Sequence, residues 1–225
     1  NLSVFGGLRG VMANASYVGA IKNISGDVKL PEVAGGIVMP GVATSADLTL
    51  DCSQSGFGVT PIIGVDWNLG KLNLAAKYEF RTKINLENES KNSANLDAMA
   101  AQVPAVAVYA DGAKVRSDIP AIMTLGAQYE ITDNFRAMVG GVYYWDKDAK
   151  GTPIKAGKNT WEANFGIEWD VNDKILLSCG AQRTEYGFDD TDMADTNFNT
   201  SSYAVAIGGA YKFSEKIKLN VGYMH

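Results

Sequence analysis

Few residues in this sequence have types and spacing suited to catalysis. His225 is the only histidine and stands at the chain end, so a Ser-His-Asp or Cys-His arrangement would depend on it. Cys52 and Cys179 lie far apart, and the sequence contains neither a zinc-binding spacing nor a phosphate-binding loop. We therefore predict a protein that is not an enzyme and that uses no metal or cofactor.

An acidic cluster is the one group of residues suited to a cation. It consists of Asp189, Asp190, Asp192 and Asp195. Hard cations such as Ca²⁺ prefer several carboxylate ligands, but this spacing matches no known calcium loop. A calcium site and a solvated acidic loop are both open, and the mismatch favours the loop.

The segment from Leu96 to Val108 is a candidate binding site for an apolar ligand. Leu96, Met99, Ala100 and Val103 recur at helical spacing, and Pro104 would end or kink such a helix. The candidate substrate-binding residues here are Leu96, Met99, Val103, Val106 and Val108. An exposed apolar helix of this kind indicates either a groove that captures a lipid-like ligand or a segment that packs over the mouth of a barrel.

Two basic residues, Lys77 and Arg81, are candidates for binding a carboxylate through charge-assisted hydrogen bonds. Regular strand alternation places both on the inward face, among further lysines, arginines and glutamates. Charges that line a barrel interior usually pair with one another, so both a ligand-binding role and internal pairing are open.

The elements that would position these residues are β-strands, because apolar and polar residues alternate along most of the chain. In Trp161–Val171, for example, Trp161, Phe165 and Trp169 point to one face, while Glu162 and Glu168 point to the other. The pattern predicts about nine strands. They lie near 2–22, 57–68, 72–81, 124–131, 135–145, 161–171, 175–182, 203–213 and 217–224.

Short and long connections alternate between these strands. Short turns are predicted at 68–70, 132–134, 172–173 and 214–215, and long external loops near 23–45, 83–114, 147–159 and 187–200. Aromatic residues stand beside both kinds of connection, such as Trp169 beside a short turn and Trp161 beside a long loop. This arrangement is typical of outer-membrane barrels, which have short periplasmic turns, longer external loops and two aromatic girdles.

Composition narrows the class of protein. Of 225 residues, 46% are hydrophobic and 20% charged, and no apolar run approaches the roughly 18–20 residues of a membrane-spanning helix. The formal net charge of −5 argues against a nucleic-acid partner. We predict a single all-β domain, an antiparallel transmembrane β-barrel. A soluble barrel or sandwich is the alternative, but it leaves the sorting of the loops unexplained.

Several short motifs resemble one family of bacterial transporters. They are Leu72–Tyr78, Ser117–Pro120, Ile131–Arg136 and Leu219–His225, with weaker support from Tyr17–Asn23. In order and spacing they are similar to segments of the FadL family of outer-membrane transporters for long-chain fatty acids and other hydrophobic compounds. The resemblance implies a barrel of about fourteen strands. Because the count here is odd and closed barrels have even counts, we expect strands to be missing at both ends.

The resemblance implies passive diffusion of long-chain fatty acids or other hydrophobic small molecules across a bacterial outer membrane. The implied partners are membrane lipid, lipopolysaccharide and a hydrophobic ligand or detergent, and the implied state is a monomer. A general porin, or a structural barrel without a ligand of its own, is the alternative. An apolar capture site would favour the transporter, whereas an open polar pore would favour the porin.

Overall fold

The computed structural model describes residues 1–29, 38–151, 156–189, 193 and 198–225, and for residues 23–29 and 38–46 it describes the backbone alone. The described residues form eleven strands and two short α-helices. The strands are β1 Leu2–Lys29, β2 Val38–Leu69, β3 Leu72–Glu79, β4 Asn85–Ser90, β5 Lys114–Arg116, β6 Ile122–Thr132, β7 Phe135–Tyr144, β8 Trp161–Asn172, β9 Ile175–Glu185, β10 Ser202–Ser214 and β11 Ile217–Met224. The helices are α1 Ala94–Ala100 and α2 Pro104–Ala107, and a 3₁₀ turn spans Asp146–Asp148. No helix in these ranges is both long and apolar enough to cross a membrane.

Nine of the strands form one antiparallel sheet in the order β1-β2-β3-β6-β7-β8-β9-β10-β11. They correspond to the nine strands predicted from alternation, which confirms the predicted fold class. The two additional strands, β4 and β5, lie inside the external segment predicted near 83–114. Within the described residues β1 and β11 do not pair with each other, so the sheet is open, as in an incomplete barrel.

The connections differ in length at the two ends of the sheet. Two residues separate β2 from β3, β6 from β7, β8 from β9 and β10 from β11. At the first of these turns Gly70 adopts a φ of +77°, a conformation that a residue with a Cβ rarely adopts. Forty-two residues separate β3 from β6, and sixteen separate β7 from β8 and β9 from β10. The strand ends on this side all lie at the same end of the sheet, because consecutive strands are antiparallel.

The first hairpin differs from the prediction, because its strands continue through most of the loop expected near 23–45. β1 runs to Lys29 and β2 begins at Val38, with Val28 opposite Met39. Bulges in β2 explain why alternation missed this extension. Val28, Gly26 and Ile24 of β1 lie opposite Met39, Val42 and Ala46, so β2 does not keep a period of two there. From Leu2 to Met12, about 34 Å along the strand, one face of β1 carries apolar residues, but Asn14 and Ser16 follow on the same face. Backbone pairing continues beyond this apolar band as far as Lys29 and Val38.

One face of the sheet is apolar and exposed across its width. Val139, Phe165, Ala181 and Val205 lie opposite one another on β7 to β10, and the valines and the phenylalanine keep between 53% and 59% of their surface accessible. They therefore do not pack into a dry protein interior. The one buried hydrophobic cluster found in the described residues belongs to the external segment around α1 and α2. The exposed apolar face is the surface that a barrel presents to lipid.

A bulge interrupts the edge of β2 between its pairings with β3 and β4. The Phe80 amide donates to the Pro61 carbonyl at 3.0 Å, and regular pairing resumes between Ser55 and Glu87. In between, the chain folds over the polar face of β2, where the Thr82 and Thr60 hydroxyls form a buried hydrogen bond. Gly58 permits this approach, because a Cβ there would lie 2.6 Å from the Thr82 methyl carbon.

Candidate functional site

The external segment forms a small helical cap against the outer end of β2. Ser93 begins α1, with its hydroxyl accepting from the Leu96 amide at 3.4 Å and from the Thr49 amide at 3.0 Å. Val103 caps α2, and Pro104 stands in its first turn, where the missing N–H costs nothing. The buried cluster of this cap consists of Leu48, Leu96, Met99, Ala100 and Val106, with Leu50, Val103 and Ala110 packed against it.

The cap lies on the polar face of the sheet, above the passage that a closed barrel would enclose. Leu48 and Leu50 share a face of β2 with Gln54 and Thr60, opposite to the face of Phe57 and Val59. The helix expected from the spacing of Leu96–Val103 is present. Its apolar side packs against the outer end of the polar face of the sheet.

Polar contacts tie the cap to β2 and β4. The Asn88 amide donates to the carbonyls of Val108 at 2.8 Å and Ala110 at 3.0 Å, and it accepts from Gln54 at 2.9 Å. The Tyr109 ring packs edge-on against Tyr17 of β1, with centroids 5.5 Å apart. Burial raises the pKa of the Tyr109 hydroxyl above its ordinary value.

Four of the five apolar candidate residues are brought together in this cap. Leu96, Met99 and Val106 are buried, and Val103 is half-buried against them. Val108 is different, because 41% of its surface remains exposed. The three buried side chains stabilise the cap from within, which leaves Val108 and part of Val103 as the candidates that a ligand can touch directly.

Lys77 lies on the polar face, as predicted, in a cluster with one acid and a second base. Its ammonium is 2.8 Å from a carboxylate oxygen of Glu79, and Arg9 lies 2.6 Å from the other oxygen. Glu79 is buried, whereas both basic side chains are about two-fifths exposed. Internal pairing, one of the two expected roles, is thus present. The two positive charges of Lys77 and Arg9 outnumber the single negative charge of Glu79.

Arg81 is separated from Lys77, in contrast to the regular alternation assumed for this strand. The bulge after Glu79 changes the register, and Arg81 lies with Lys83 beside Tyr78, Phe80 and Trp145 in a recess of the apolar face. Its guanidinium donates to the Asp148 carbonyl. An inward position for Arg81 was therefore wrong, because alternation holds only while a strand is uninterrupted.

Asp118 joins the segments that meet at the bulge, a role that the sequence reasoning did not assign to it. Its buried carboxylate accepts from the Arg116 guanidinium at 2.5 Å and from the Lys150 amide at 3.3 Å, and Arg81 lies 3.9 Å away. Burial acts to raise the pKa of Asp118, but the hydrogen bonds from Arg116 and Lys150 outweigh it and hold the pKa below its ordinary value. The only feature of the sequence that pointed to Asp118 was its place in the Ser117–Pro120 motif.

The polar face near the short turns carries a second charged group. The Arg136 guanidinium lies 2.6 Å from Glu168 and 2.8 Å from Asp170 on the neighbouring strand. With glycine and serine positions of β8 to β10 and Lys218 of β11, this group lines a cavity of about 620 Å³. The wall here combines charged and polar side chains with glycines, alanines, Met138 and Leu176.

The acidic cluster and the two cysteines are the remaining candidates from the sequence. Asp190, Asp192 and Asp195 lie outside the described residues. Among the residues that the structure describes, no group of three or more His, Cys, Asp and Glu is placed to hold a metal ion. Cys52 is buried and Cys179 exposed, and both are free thiols, as their separation in sequence indicated.

Together these features define the wall of a transmembrane β-barrel: an antiparallel sheet with one exposed apolar face, one polar face with ion pairs, and short turns at one end. No family model matches the sequence, and no curated protein matches it significantly. Solved structures do match.

A crystal structure of a Pseudomonas aeruginosa FadL homologue matches with a TM-score of 0.67 and 15% identity, over 100% of this chain and 55% of that one. The Ralstonia pickettii toluene transporter TbuX matches with a TM-score of 0.57 and 12% identity, over 98% and 57%. The CymD monoaromatic hydrocarbon channel matches with a TM-score of 0.54 and 13% identity, over 99% and 64%. This chain spans between 55% and 64% of the length of these proteins. The likeness establishes that it has a FadL-like fold.

Proposed function

We propose that this protein conducts hydrophobic small molecules across a bacterial outer membrane by passive diffusion. The observation that carries the proposal is the exposed apolar face of an antiparallel sheet whose polar face is covered at one end by an apolar cap. The FadL-like fold supports it, since proteins that share this fold are named as transporters of toluene and channels for monoaromatic hydrocarbons. Long-chain fatty acids and small aromatic hydrocarbons are the substrate classes to compare.

The proposed path begins at the exposed side of the cap. Val108 and Val103 offer apolar surface to an arriving molecule, while Leu96, Met99 and Val106 hold the helices that present them. Below the cap, the Arg9–Glu79–Lys77 cluster faces the passage with a surplus of positive charge, and Lys77 is placed to meet a carboxylate headgroup. No step of this path requires covalent chemistry, so the protein is proposed not to be an enzyme.

The same proposal covers location and partners. The apolar face contacts outer-membrane lipid and lipopolysaccharide, and the cap contacts a hydrophobic ligand or detergent. We propose a monomeric barrel without a nucleic-acid partner, in keeping with the net charge of −5.

A general porin is the second candidate, and one observation favours it. The polar lining around Arg136, Glu168 and Lys218 suits a water-filled passage for hydrophilic solutes. A structural barrel without a ligand is the remaining outcome of the same experiment.

Uptake measurements separate these functions. Bacterial cells that lack their own channels for hydrophobic compounds would express the protein and receive radiolabelled toluene or a long-chain fatty acid. Vesicles containing the protein would be tested for swelling in sugars. We expect faster uptake of at least one hydrophobic compound and no sugar-dependent swelling. Swelling without hydrophobic uptake would establish a porin, and neither activity would leave a structural barrel.

A matched pair of cap variants tests the entry site. Val108→Asp places a charge on the proposed capture surface, whereas Ala98→Asp places the same charge on an exposed position of α1 outside the buried cluster. We expect hydrophobic uptake to fall severalfold for Val108→Asp only. Equal uptake by the two variants would remove Val108 from the path.

A further inference from the structure

A recess opens on the apolar face where the bulge draws the chain toward the polar face. Tyr78, Phe80 and Trp145 line it, with ring centroids of Tyr78 lying 4.8 Å from Phe80 and 5.5 Å from Trp145. Arg81 and Lys83 complete the lining, and the cavity measures about 520 Å³. Aromatic and basic side chains therefore share one concave site outside the barrel wall.

The recess stands at the outer limit of the apolar band. From Leu72 to Phe80, about 26 Å along the strand, the exposed face is apolar or aromatic. Beyond Phe80 the next exposed residues are Lys83, Asn85 and Glu87, none of which suits a hydrocarbon environment. Lipid acyl chains would therefore end at the aromatic rings, and the polar headgroups would lie beside Arg81 and Lys83.

The local charges favour an anion in this position. Asp118 is already held by Arg116, at 2.5 Å, and lies 3.9 Å from Arg81. Asp148 also lines the recess, and its backbone carbonyl accepts from Arg81. With Lys83 exposed, the lining carries two cations against the carboxylate of Asp148. Arginine binds phosphate through a planar pair of donors, and basic residues near a membrane surface attract anionic lipids.

We propose that this recess binds the phosphate-bearing headgroup of an anionic lipid in the outer leaflet, with Arg81 and Lys83 contacting the phosphate and Tyr78, Phe80 and Trp145 contacting the upper acyl chains. The site lies on the opposite side of the wall from the proposed passage and adds a lipid ligand to the proposed function. This inference depends on the proposed function in one respect, namely that the protein spans the outer membrane.

The experiment compares two lipids that differ only in phosphate. The protein is placed in phosphatidylcholine nanodiscs with either bis-phosphorylated lipid A or the same lipid after removal of both phosphates, and retained lipid A is measured by native mass spectrometry. The test variant is Arg81→Gln with Lys83→Gln. Its control, Lys71→Gln with Lys174→Gln, removes the same charge from the short-turn end of the sheet. Lys83→Gln alone guards against a folding defect caused by loss of the Arg81 contacts.

We expect the phosphorylated lipid to bind on the order of fivefold more weakly for each cation removed at the recess, and about twenty-fivefold more weakly when both are removed. The control should bind like the unchanged protein, and the dephosphorylated lipid should bind weakly to all variants. Equal binding of the two lipids, equal binding by recess and control variants, or displacement of lipid A by toluene or fatty acid would overturn the inference.

A second readout separates this inference from the proposed function. Lipids with brominated acyl chains quench tryptophans that face the hydrocarbon, such as Trp67 and Trp169. Strong quenching without a phosphate preference would overturn the headgroup site alone. Absence of quenching in every sample would show that the apolar face does not contact lipid, and the proposed function would fail with it.

Discussion

At the scale of single residues, the buried carboxylate of Asp118 joins segments that meet near the bulge. Asp118 accepts hydrogen bonds from Arg116 and from the Lys150 amide, and these come from different segments of the chain. Hydrogen bonds to a charged group each contribute about 1.5–3 kcal/mol. Removal of the carboxylate charge also leaves the Arg116 guanidinium without a negatively charged partner. The residue therefore links the re-entry into β6 with the connection after β7.

Asp118→Asn tests this link. We expect the variant to lose about 2 kcal/mol of local stability, because the amide keeps the shape of the carboxylate but not its charge. Protease cleavage within residues 80–121, followed over time, would detect the loss. Asp133→Asn, at an exposed turn residue, is the matched control and should cleave like the unchanged protein. Equal rates for the two variants would contradict the role given to Asp118.

The pH dependence of the same segment has a defined sign. Because the folded-state pKa of Asp118 lies below its ordinary value of about 3.9, its contribution is fully present above about pH 4 and is lost as the pH falls through the folded pKa. The protection factors of the amides in the segment, which correct for the intrinsic pH dependence of exchange, should therefore fall only at acidic pH. The Asp118→Asn variant should lack that acid-induced change, and an identical profile in both proteins would assign it to another group.

At the scale of elements, the cap is a local unit with its own small core. Met99 contacts the cluster that joins α1 and α2 to Leu48 of β2. Met99→Ala should cost about 2–3 kcal/mol of cap stability through lost burial and a cavity. Amide exchange in residues 94–110 would report the change. Gln102→Ala, at an exposed position, should leave exchange unchanged, and a similar effect of both variants would argue against a packed cap.

The bulge depends on glycine at one point of close approach. A Cβ at Gly58 would lie 2.6 Å from the Thr82 methyl carbon and 2.8 Å from Ile84, whereas a Cβ at Gly126 would meet nothing within 4 Å. We expect Gly58→Ala to destabilise the fold by about 1–3 kcal/mol through overpacking, and Gly126→Ala to be neutral or slightly stabilising. Thermal unfolding followed by circular dichroism would measure both. A neutral Gly58→Ala would show that the bulge does not need this approach.

At the scale of the whole molecule, the two faces of the sheet must meet different surroundings. Phe165 lies on the exposed apolar face, and its neighbour Asn164 lies on the polar face. Phe165→Arg should cost about 2–4 kcal/mol, because arginine near the membrane centre is poorly tolerated, whereas Asn164→Arg should be accepted. Folding yield into lipid vesicles, judged by heat-dependent gel mobility, would compare them. A greater defect in Asn164→Arg would reverse the assignment of the faces.

Much of the fold follows from the sequence alone, because the information is local. Alternation with a period of two marks a strand and both its faces, as in Trp161–Val171, and two-residue turns separate neighbouring strands. The helix at Leu96 was predictable for the same reason, since its spacing lies within two turns. The extension of the first hairpin was not, because bulges in β2 opposite Ile24, Gly26 and Val28 break the period of two on that strand.

The sequence by itself determined an antiparallel barrel sheet, the direction of most side chains and the apolar character of the external segment. The tertiary structure alone decided how distant segments meet: that Leu48 completes the cap, that Asp118 holds Arg116 and the amide of Lys150, and that a bulge turns Arg81 away from Lys77. The reason is physical. Periodicity reports on neighbours within one element, whereas a bulge or a packed cap arises from contacts between segments that the sequence separates by tens of residues.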